Sequence, residues 1–212
     1  MYAFSLKTFC TYAYLCVAVF GNFDAVAQKQ VIVDIAQRDV GTIERTRNND
    51  DPLFDFYRAT VAKDLNRWKA PYCGCAVYSW HLLAGLKPKN TSPAVALSWK
   101  REKGVKLGAK TTAESVKELR AGMVVLMKFS RYHVGVLKQA YPAYVVTIEG
   151  NTSNANSVNR VAGKTDGVME KIRPYYLLIG AYDWYSDAIP IDPKKYAEMR
   201  KTYISPQKPT IQ

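Results

Sequence analysis

The hydrophobic pattern of this 212-residue chain changes its period once, near Gly122, and this change limits the folds that the chain can adopt. Before Gly122, apolar residues recur at the spacing of amphipathic helices. After it, short segments rich in β-branched and aromatic residues alternate with turn residues, as in antiparallel strands. Helices followed by strands are typical of an α+β domain. We therefore predict a single α+β domain in which N-terminal helices pack on an antiparallel β-sheet.

Four helices are predicted before Gly122, and proline or serine marks the start of most of them. The first ends near Gly41, the second opens at Pro52, the third begins at Pro71, and the fourth follows the Ser92-Pro93 pair. After Gly122 we predict strands over 123–128, 132–138, 143–149 and 175–181, a hairpin over 158–161 and 168–172, and a short lysine-rich helix beyond Pro190.

Residues 1–27 have the pattern of a secretory signal peptide. Lys7 precedes a largely apolar stretch, and Ala25-Val26-Ala27 has the small-x-small form that signal peptidase cleaves. A buried N-terminal helix is the alternative interpretation. Cleavage would leave a domain at 28–185 and a C-terminal tail at 186–212, and export predicts a periplasmic or extracellular protein.

The chain is basic, with 30 Lys and Arg against 18 Asp and Glu and a net charge of +12. A basic surface attracts any polyanion, so charge alone is weak support for nucleic-acid binding. The basic residues are dispersed, and export would separate the protein from nucleic acid. We therefore expect no specific nucleic-acid partner, and we expect a monomer. No apolar run is long enough to predict a membrane span.

Two cysteines, Cys73 and Cys75, remain after the predicted cleavage. Their side chains diverge at this spacing in a helix or a strand, so a disulfide between them has poor geometry and at least one thiol should be free. Cys73 lies at the start of a predicted helix, where unpaired N–H groups favour a thiolate. Cys75 lies further into the first turn and is expected to be a small buried residue.

Two histidines are candidates for the base that would activate a cysteine. His81 follows Cys73 by two turns of the same predicted helix, about 12 Å away, which is too far for proton transfer. We expect His81 to be a helix-surface or core residue. His133 begins a predicted strand, and Gly135 allows another part of the chain to approach it closely.

Two polar residues on the next predicted strand are candidate partners of His133. Glu149 and Asn151 have the same parity, so an extended chain points both to one face of the sheet. If the two strands pair, a carboxylate and an amide can approach the imidazole. A carboxylate there would fix the tautomer of the histidine and stabilise its protonated form.

Metal sites are weakly indicated. Cys73 and Cys75 with the two histidines offer four zinc ligands, but the cysteine spacing is one residue short of the usual pair. Asn48, Asn49, Asp50 and Asp51 offer oxygen ligands for calcium, although a solvated turn explains them better. We therefore expect no metal and no cofactor.

Three short segments carry a family resemblance that covers about residues 31–182. Residues 71–77 (Pro-Tyr-Cys-Gly-Cys-Ala-Val) resemble the Pro-Trp-Cys-Ala-Ala-Phe-Val segment of CHAP domains, the cysteine, histidine-dependent amidohydrolases and peptidases. Residues 133–136 (His-Val-Gly-Val) and 147–152 are similar to two later blocks of that family. Two positions depart from the family pattern, Tyr72 in place of tryptophan and Met123 in place of aspartate.

This resemblance implies a papain-like fold and hydrolysis of an amide bond in peptidoglycan, either as an N-acetylmuramoyl-L-alanine amidase or as a peptide endopeptidase. It makes Cys73 the nucleophile, His133 the base, Glu149 the orienting carboxylate and Asn151 a fourth polar member of the site. A non-catalytic cell-envelope-binding module on the same fold is one alternative. An antibacterial toxin or lysis enzyme with the same chemistry is another.

Overall fold

The computed structural model describes residues 29–153 and 166–204. The predicted leader at 1–27 and the predicted strand at 158–161 lie outside this part of the chain. Within the described residues, no helix has the length and apolar character needed to cross a membrane.

The described residues contain six α-helices, and the third predicted helix lies at the centre of the structure. These are α1 (29–39), α2 (Pro52–Val61), α3 (Asp64–Arg67), α4 (Cys73–Leu83), α5 (Ala113–Glu118) and α6 (Lys194–Ile204). Every residue from Cys73 to Leu82 is buried, so α4 is covered on all sides, as expected for a helix whose residues are mostly apolar all round. Of the other helices, α1 and α2 bury one face, whereas α3, α5 and α6 have no fully buried residue.

The strands form one six-stranded antiparallel sheet and a separate two-stranded ribbon. The ribbon pairs β1 (Leu86–Lys87) with β8 (Ile189–Pro190). The order across the large sheet is β2-β7-β3-β4-β5-β6. Its strands are β2 (Val105–Lys106), β3 (Val124–Lys128), β4 (Tyr132–Ala140), β5 (Tyr144–Ser153), β6 (Asp166–Pro174) and β7 (Leu178–Tyr182). The predicted α+β architecture of helices and an antiparallel sheet is confirmed.

Helix α4 packs directly on β4 and β5, and small residues make this approach possible. A side chain at Gly150 would place its Cβ 2.9 Å from the Cβ of Ala76 and 3.2 Å from the Tyr72 ring. Only glycine therefore allows the first turn of α4 to lie this close to β5. The contact brings Cys73, the first residue of α4, over the strand that carries His133.

The helix predicted after Ser92-Pro93 is wrong, because only a 3-10 turn forms at Ala96–Trp99. Side chains of this turn bind carbonyls in the preceding segment. Ser98 Oγ donates to the carbonyl of Ser92 at 2.7 Å, and Trp99 Nε1 donates to the carbonyl of Pro93 at 2.9 Å. Side-chain donors that compete for backbone carbonyls stabilise a turn instead of a continuous helix.

One strand prediction is confirmed and one needs correction. The residues predicted as the second strand of a hairpin, 168–172, form part of β6, which pairs with β5 among the described residues. The predicted first strand of that hairpin, 158–161, lies outside the described residues. The segment predicted as a strand over 175–181 begins with a 3-10 turn at Tyr175–Leu177, and β7 starts only at Leu178.

Helix α6 packs against α2 and α4, and a buried ionic cluster ties it there. The carboxylate of Asp39 is buried and accepts hydrogen bonds from Tyr57 Oη at 2.5 Å and Trp80 Nε1 at 2.9 Å. The guanidinium of Arg200, on α6, donates to the same carboxylate. The residues beyond Pro190 thus contribute contacts to the body of the protein.

We expect Asp39→Ala to lower the free energy of unfolding by about 3 kcal/mol or more, because it leaves a partly buried cation and two buried donors without their acceptor. Urea unfolding followed by circular dichroism measures this loss. Asp34→Ala is the matched control, since it removes an exposed carboxylate from the same helix. The control should change stability by less than about 0.5 kcal/mol. Equal losses in the two variants would contradict the assigned role of Asp39.

Candidate active site

Cys73 lies at the N-terminus of α4, and its side chain is buried at the base of a cleft. The helix start lies against the segment that follows Ser92. A Cβ at Gly74 would collide with the carbonyl oxygen of Pro93 and lie 3.1 Å from Trp99 Nε1. Glycine at 74 therefore allows the first turn of α4, with its unpaired N–H groups, to reach the cleft.

The surroundings of Cys73 favour its thiolate form. Burial alone would raise the pKa of the thiol, but the hydrogen bond and the positive charge of His133 lower this pKa below its ordinary value of 9.0. The backbone N–H groups of Val134 and Gly74 also point to the sulfur and lower the pKa further. The sulfur therefore has donors from both α4 and β4, which stabilise negative charge on it.

His133 lies on β4 between the thiol and a carboxylate. Its Nε2 atom is 3.0 Å from Glu149 Oε2, close enough for an ion pair, although the N–H direction is not that of a hydrogen bond. Since Nε2 faces Glu149, Nδ1 is the nitrogen available to Cys73. Burial alone would lower the pKa of His133, but Cys73 and then Glu149 raise it well above its ordinary value of 6.5. The geometry thus favours a thiolate–imidazolium pair.

Glu149 is completely buried on β5, and neighbouring glycine and threonine residues fit it into place. A Cβ at Gly135 would lie 2.7 Å from the Glu149 Cγ, so a glycine on β4 is required for this carboxylate to reach His133. Thr147 Oγ1 donates to Glu149 Oε1 at 2.6 Å. The close approach predicted at Gly135 is therefore made by the Glu149 side chain.

Sequence reasoning missed Arg173, which lies on β6 and forms a two-pronged ion pair with Glu149. Arg173 Nε donates to Oε1 at 2.7 Å, and Nη2 donates to Oε2 at 2.6 Å. Burial alone would raise the pKa of Glu149, but Arg173 and His133 hold it well below its usual range. Only a weak sequence signal could have identified Arg173. It is a cation on a strand, β6, whose neighbour in the sheet, β5, carries the buried acid Glu149.

Asn151 lines the same cleft as Cys73 and His133, but it does not lie on a regular strand. Its φ is +56°, and the pairing of β5 with β6 changes register between Glu149 and Thr152. The parity argument that placed it on one face with Glu149 therefore does not apply. Among the described residues, Asn151 Oδ1 has no hydrogen-bond partner although it is buried.

The cleft has a volume of about 310 Å³ and is open to solvent on one side. One wall is formed by the β3–β4 turn, residues 129–131, and by Tyr132 at the start of β4, so that exposed Phe129 and Tyr132 lie at the rim. Pro71, Ala94 and Ala96 line the rest. Residues 87–92 do not line this cleft.

The other cysteine and the other histidine are core residues. Both thiols are free, and Cys75 is fully buried, which raises its pKa to about 12. His81 is also fully buried, its Nδ1 lies 2.7 Å from the carbonyl oxygen of Val77, and burial lowers its pKa to about 4. His81 is therefore a neutral core histidine, and the cleft brings together Cys73 and His133.

The acidic turn before α2 has structural partners. Asp50 accepts backbone hydrogen bonds from Arg45 at 3.0 Å and Thr46 at 2.9 Å. Asp51 caps α2 by accepting from the Leu53 N–H at 2.9 Å. Over the part of the chain that the structure describes, no group of three or more His, Cys, Asp or Glu side chains is arranged to bind a metal ion.

The cleft therefore brings together a thiol, an imidazole and a carboxylate, the types of group that nucleophilic catalysis uses. Cys73 can attack an electrophilic carbonyl, His133 can transfer the proton, and Glu149 can stabilise the imidazolium. Comparisons of the chain with protein-family profiles, curated proteins and solved structures found no match.

Proposed function

We propose that the protein is an exported cysteine amide hydrolase of papain-like fold that cleaves peptidoglycan. One observation carries the chemistry: a thiol at a helix N-terminus lies beside His133, whose far nitrogen is 3.0 Å from the buried carboxylate of Glu149. A nucleophile, its base and a group that orients the base form the arrangement used in acyl transfer. A central helix with the nucleophile, followed by an antiparallel sheet with the base, supports the papain-like assignment.

In the first half of the proposed reaction, the Cys73 thiolate attacks the carbonyl carbon of the substrate amide. The oxyanion that forms is stabilised by first-turn N–H groups of α4, which have no partner within the helix. Imidazolium His133 then donates its proton to the departing nitrogen. The C–N bond breaks, an amine leaves, and a thioester joins the substrate acyl group to Cys73.

In the second half, water hydrolyses this thioester. Neutral His133 accepts a proton from the water as its oxygen attacks the acyl carbon. The C–S bond breaks, the acid product leaves, and the thiolate is restored beside imidazolium His133. Glu149 stabilises the imidazolium in both halves, because its carboxylate faces Nε2.

The substrate class rests on sequence resemblance, the predicted leader and charge. The three family-like segments include Cys73, His133 and Glu149, and the leader directs the chain to the compartment that contains peptidoglycan. A net charge of +12 favours contact with an anionic cell envelope. An antibacterial toxin or lysis enzyme would use the same site on another cell's wall.

Digestion of purified peptidoglycan, followed by mass spectrometry of the soluble products, tests this function. An amidase frees the lactyl carboxyl of muramic acid, whereas an endopeptidase frees an amine and a carboxyl within the peptides. Either pair of products supports the proposal. An unchanged peptidoglycan at high protein concentration would favour a non-catalytic binding module instead.

The active form requires Cys73 deprotonated and His133 protonated, so kcat/KM should be high across neutral pH. The pKa of Cys73 lies below its ordinary value and the pKa of His133 lies above its own. The ion pair therefore forms at pH values between these two pKa values. Activity should fall as Cys73 gains a proton on the acid side and as His133 loses one on the alkaline side. Initial rates on dye-labelled peptidoglycan at about pH 5 to 10 check this. An activity that rose only above about pH 9, as for an unperturbed thiol, would contradict it.

A further inference from the structure

The carboxylate of Glu149 has a permanent cation bound to both of its oxygens. Arg173 donates to Oε1 at 2.7 Å and to Oε2 at 2.6 Å, and Oε2 is also the atom that faces His133. Two parallel hydrogen bonds of this kind fix the plane of a carboxylate as well as its charge. The same oxygen therefore has one constant positive neighbour and one that depends on the protonation of His133.

Arg173 is itself held in place by β5 and by the cleft wall. Its Nη2 also donates to Thr152 Oγ1 at 3.2 Å, and its guanidinium lies 4.8 Å from the centre of the Phe129 ring. The Phe129 ring centre is in turn 6.1 Å from that of His133. Arg173 thus joins the end of β5, the β3–β4 turn and the carboxylate in one packed arrangement.

A fully buried carboxylate with no cation beside it would take up a proton, because its charged form has lost its hydration. A protonated Glu149 could not stabilise imidazolium His133, and without that stabilisation the thiolate of Cys73 would lose its counter-charge. Arginine does not titrate in the range where the site works. It can therefore keep Glu149 charged even when His133 is neutral.

We propose that Arg173 is a positioning residue that keeps Glu149 ionised and aimed at His133, and so sets the acid limit of the pH range in which Cys73 is reactive. For peptide-bond cleavage this rests on the proposed function, but the reactivity of the thiol does not. Arg173 acts through Glu149 and His133, and its guanidinium contacts Glu149, Thr152 and Phe129.

The charged groups that face Glu149 come from both neighbouring strands. His133 approaches from β4, and Arg173 approaches from β6. Lys171, also on β6, interacts electrostatically with Glu149 and donates from Nζ to the Ser153 carbonyl at 2.9 Å. Cys73 approaches from α4 and acts through His133. Arg173 is the cation among these that is bonded to both carboxylate oxygens.

The test measures the rate of Cys73 alkylation by iodoacetamide against pH, together with peptidoglycan hydrolysis, in Arg173→Met, Arg173→Lys and the full-length wild type. In Arg173→Met, the acid limb of both profiles should move to higher pH by about one unit or more. At a fixed pH on the acid limb of both profiles, alkylation should slow about tenfold for a shift of one unit. Arg173→Lys retains a cation without the two-pronged geometry, so its acid limb should lie between those of Arg173→Met and the wild type.

Lys138→Met is the matched control, because it removes a cation from another ion pair of the same sheet, in which Lys138 on β4 lies 2.8 Å from Glu170 on β6, without touching Glu149. Its profiles should match the wild type. The proposal is overturned if Arg173→Met lowers both rates with no change in the pH profile, which would show a merely structural role. It is also overturned if the acid limb moves by the same amount in Arg173→Lys and in Arg173→Met.

These outcomes separate the inference from the proposed function. If the alkylation profile of Arg173→Met is shifted but the wild type cleaves no peptidoglycan, the role of Arg173 is supported and the proposed function is contradicted. An unshifted profile in a protein whose wild type does cleave peptidoglycan removes the inference alone. If Arg173→Met does not fold, as circular dichroism would show, the Arg173→Lys profile decides, and a wild-type profile there overturns the proposal.

Discussion

Cys73→Ala should reduce the release of soluble fragments from peptidoglycan by at least about 10⁴-fold, because the variant has no atom that can form the thioester. The residual rate would come from binding and from the N–H groups that stabilise the oxyanion. The substitution removes only the thiol group of a residue at a helix start, so the fold should be retained. The assay is the initial rate of dye release from labelled peptidoglycan.

Cys75→Ala provides a control two residues away on the same helix. Cys75 is fully buried in the core, and its thiol has a raised pKa, so it has no part in the proposed chemistry. We expect a loss of about 1 kcal/mol of stability and nearly unchanged activity. Similar activity in Cys73→Ala and wild type would remove Cys73 from the mechanism, and loss of activity in both variants would point to a structural effect.

His133→Ala should lower the same rate by about 10³-fold, because both halves of the proposed reaction need a proton transferred at this position. The variant should also show a second change that does not depend on substrate. Loss of the imidazolium removes the main group that lowers the Cys73 pKa, so alkylation of Cys73 should require a higher pH. Iodoacetamide labelling followed by mass spectrometry of the Cys73 peptide measures this shift.

His81→Gln is the control for the histidine, since it alters the other histidine of the chain. His81 is a neutral core residue, so the substitution is expected to affect stability through its bond to Val77. The folded fraction should hydrolyse peptidoglycan at the wild-type rate. A thiol titration unchanged by His133→Ala but shifted by His81→Gln would mean that the pairing of cysteine and histidine has been assigned wrongly.

The parts of the site that sequence predicted are those that depend on local pattern. Proline and glycine around Cys73 indicate the start of a helix, and a β-branched segment after His133 indicates a strand. The position of Glu149 beside His133 was predicted because alternate residues of a regular strand point to the same face of the sheet. Asn151 did not fit the same argument, because a left-handed residue and a register change interrupt β5 after Glu149.

Arg173 could not be predicted in this way because its contact depends on side-chain reach across the sheet. The residue opposite Arg173 on β5 is Val145, four positions from Glu149. The long guanidinium side chain reaches along the sheet to the carboxylate, and no local spacing encodes that reach. Sequence also gave no indication that β6 would carry part of the candidate site.

Arg58 shows the same limit in the fold. It lies on α2 and would ordinarily be expected on the solvent-facing side, yet its side chain is fully buried. Its guanidinium donates to the carbonyls of Asn49 and Ala70 and to the side chains of Asp55 and Asn66. Two of these partners, the carbonyls of Asn49 and Ala70, lie in loops whose positions are set by tertiary packing, so amphipathic spacing alone could not predict the burial of this cation.

The measurement that tests the central claim most directly is digestion of purified peptidoglycan in water enriched in heavy oxygen, with liquid chromatography and mass spectrometry of the products. An amide hydrolase must yield new amines in equal number to new carboxyl groups, with one heavy oxygen in each new carboxyl. We predict this pairing for the wild type and its absence for Cys73→Ala. Products that carry new sugar reducing ends without new amines, or equal product formation by Cys73→Ala, would contradict the account.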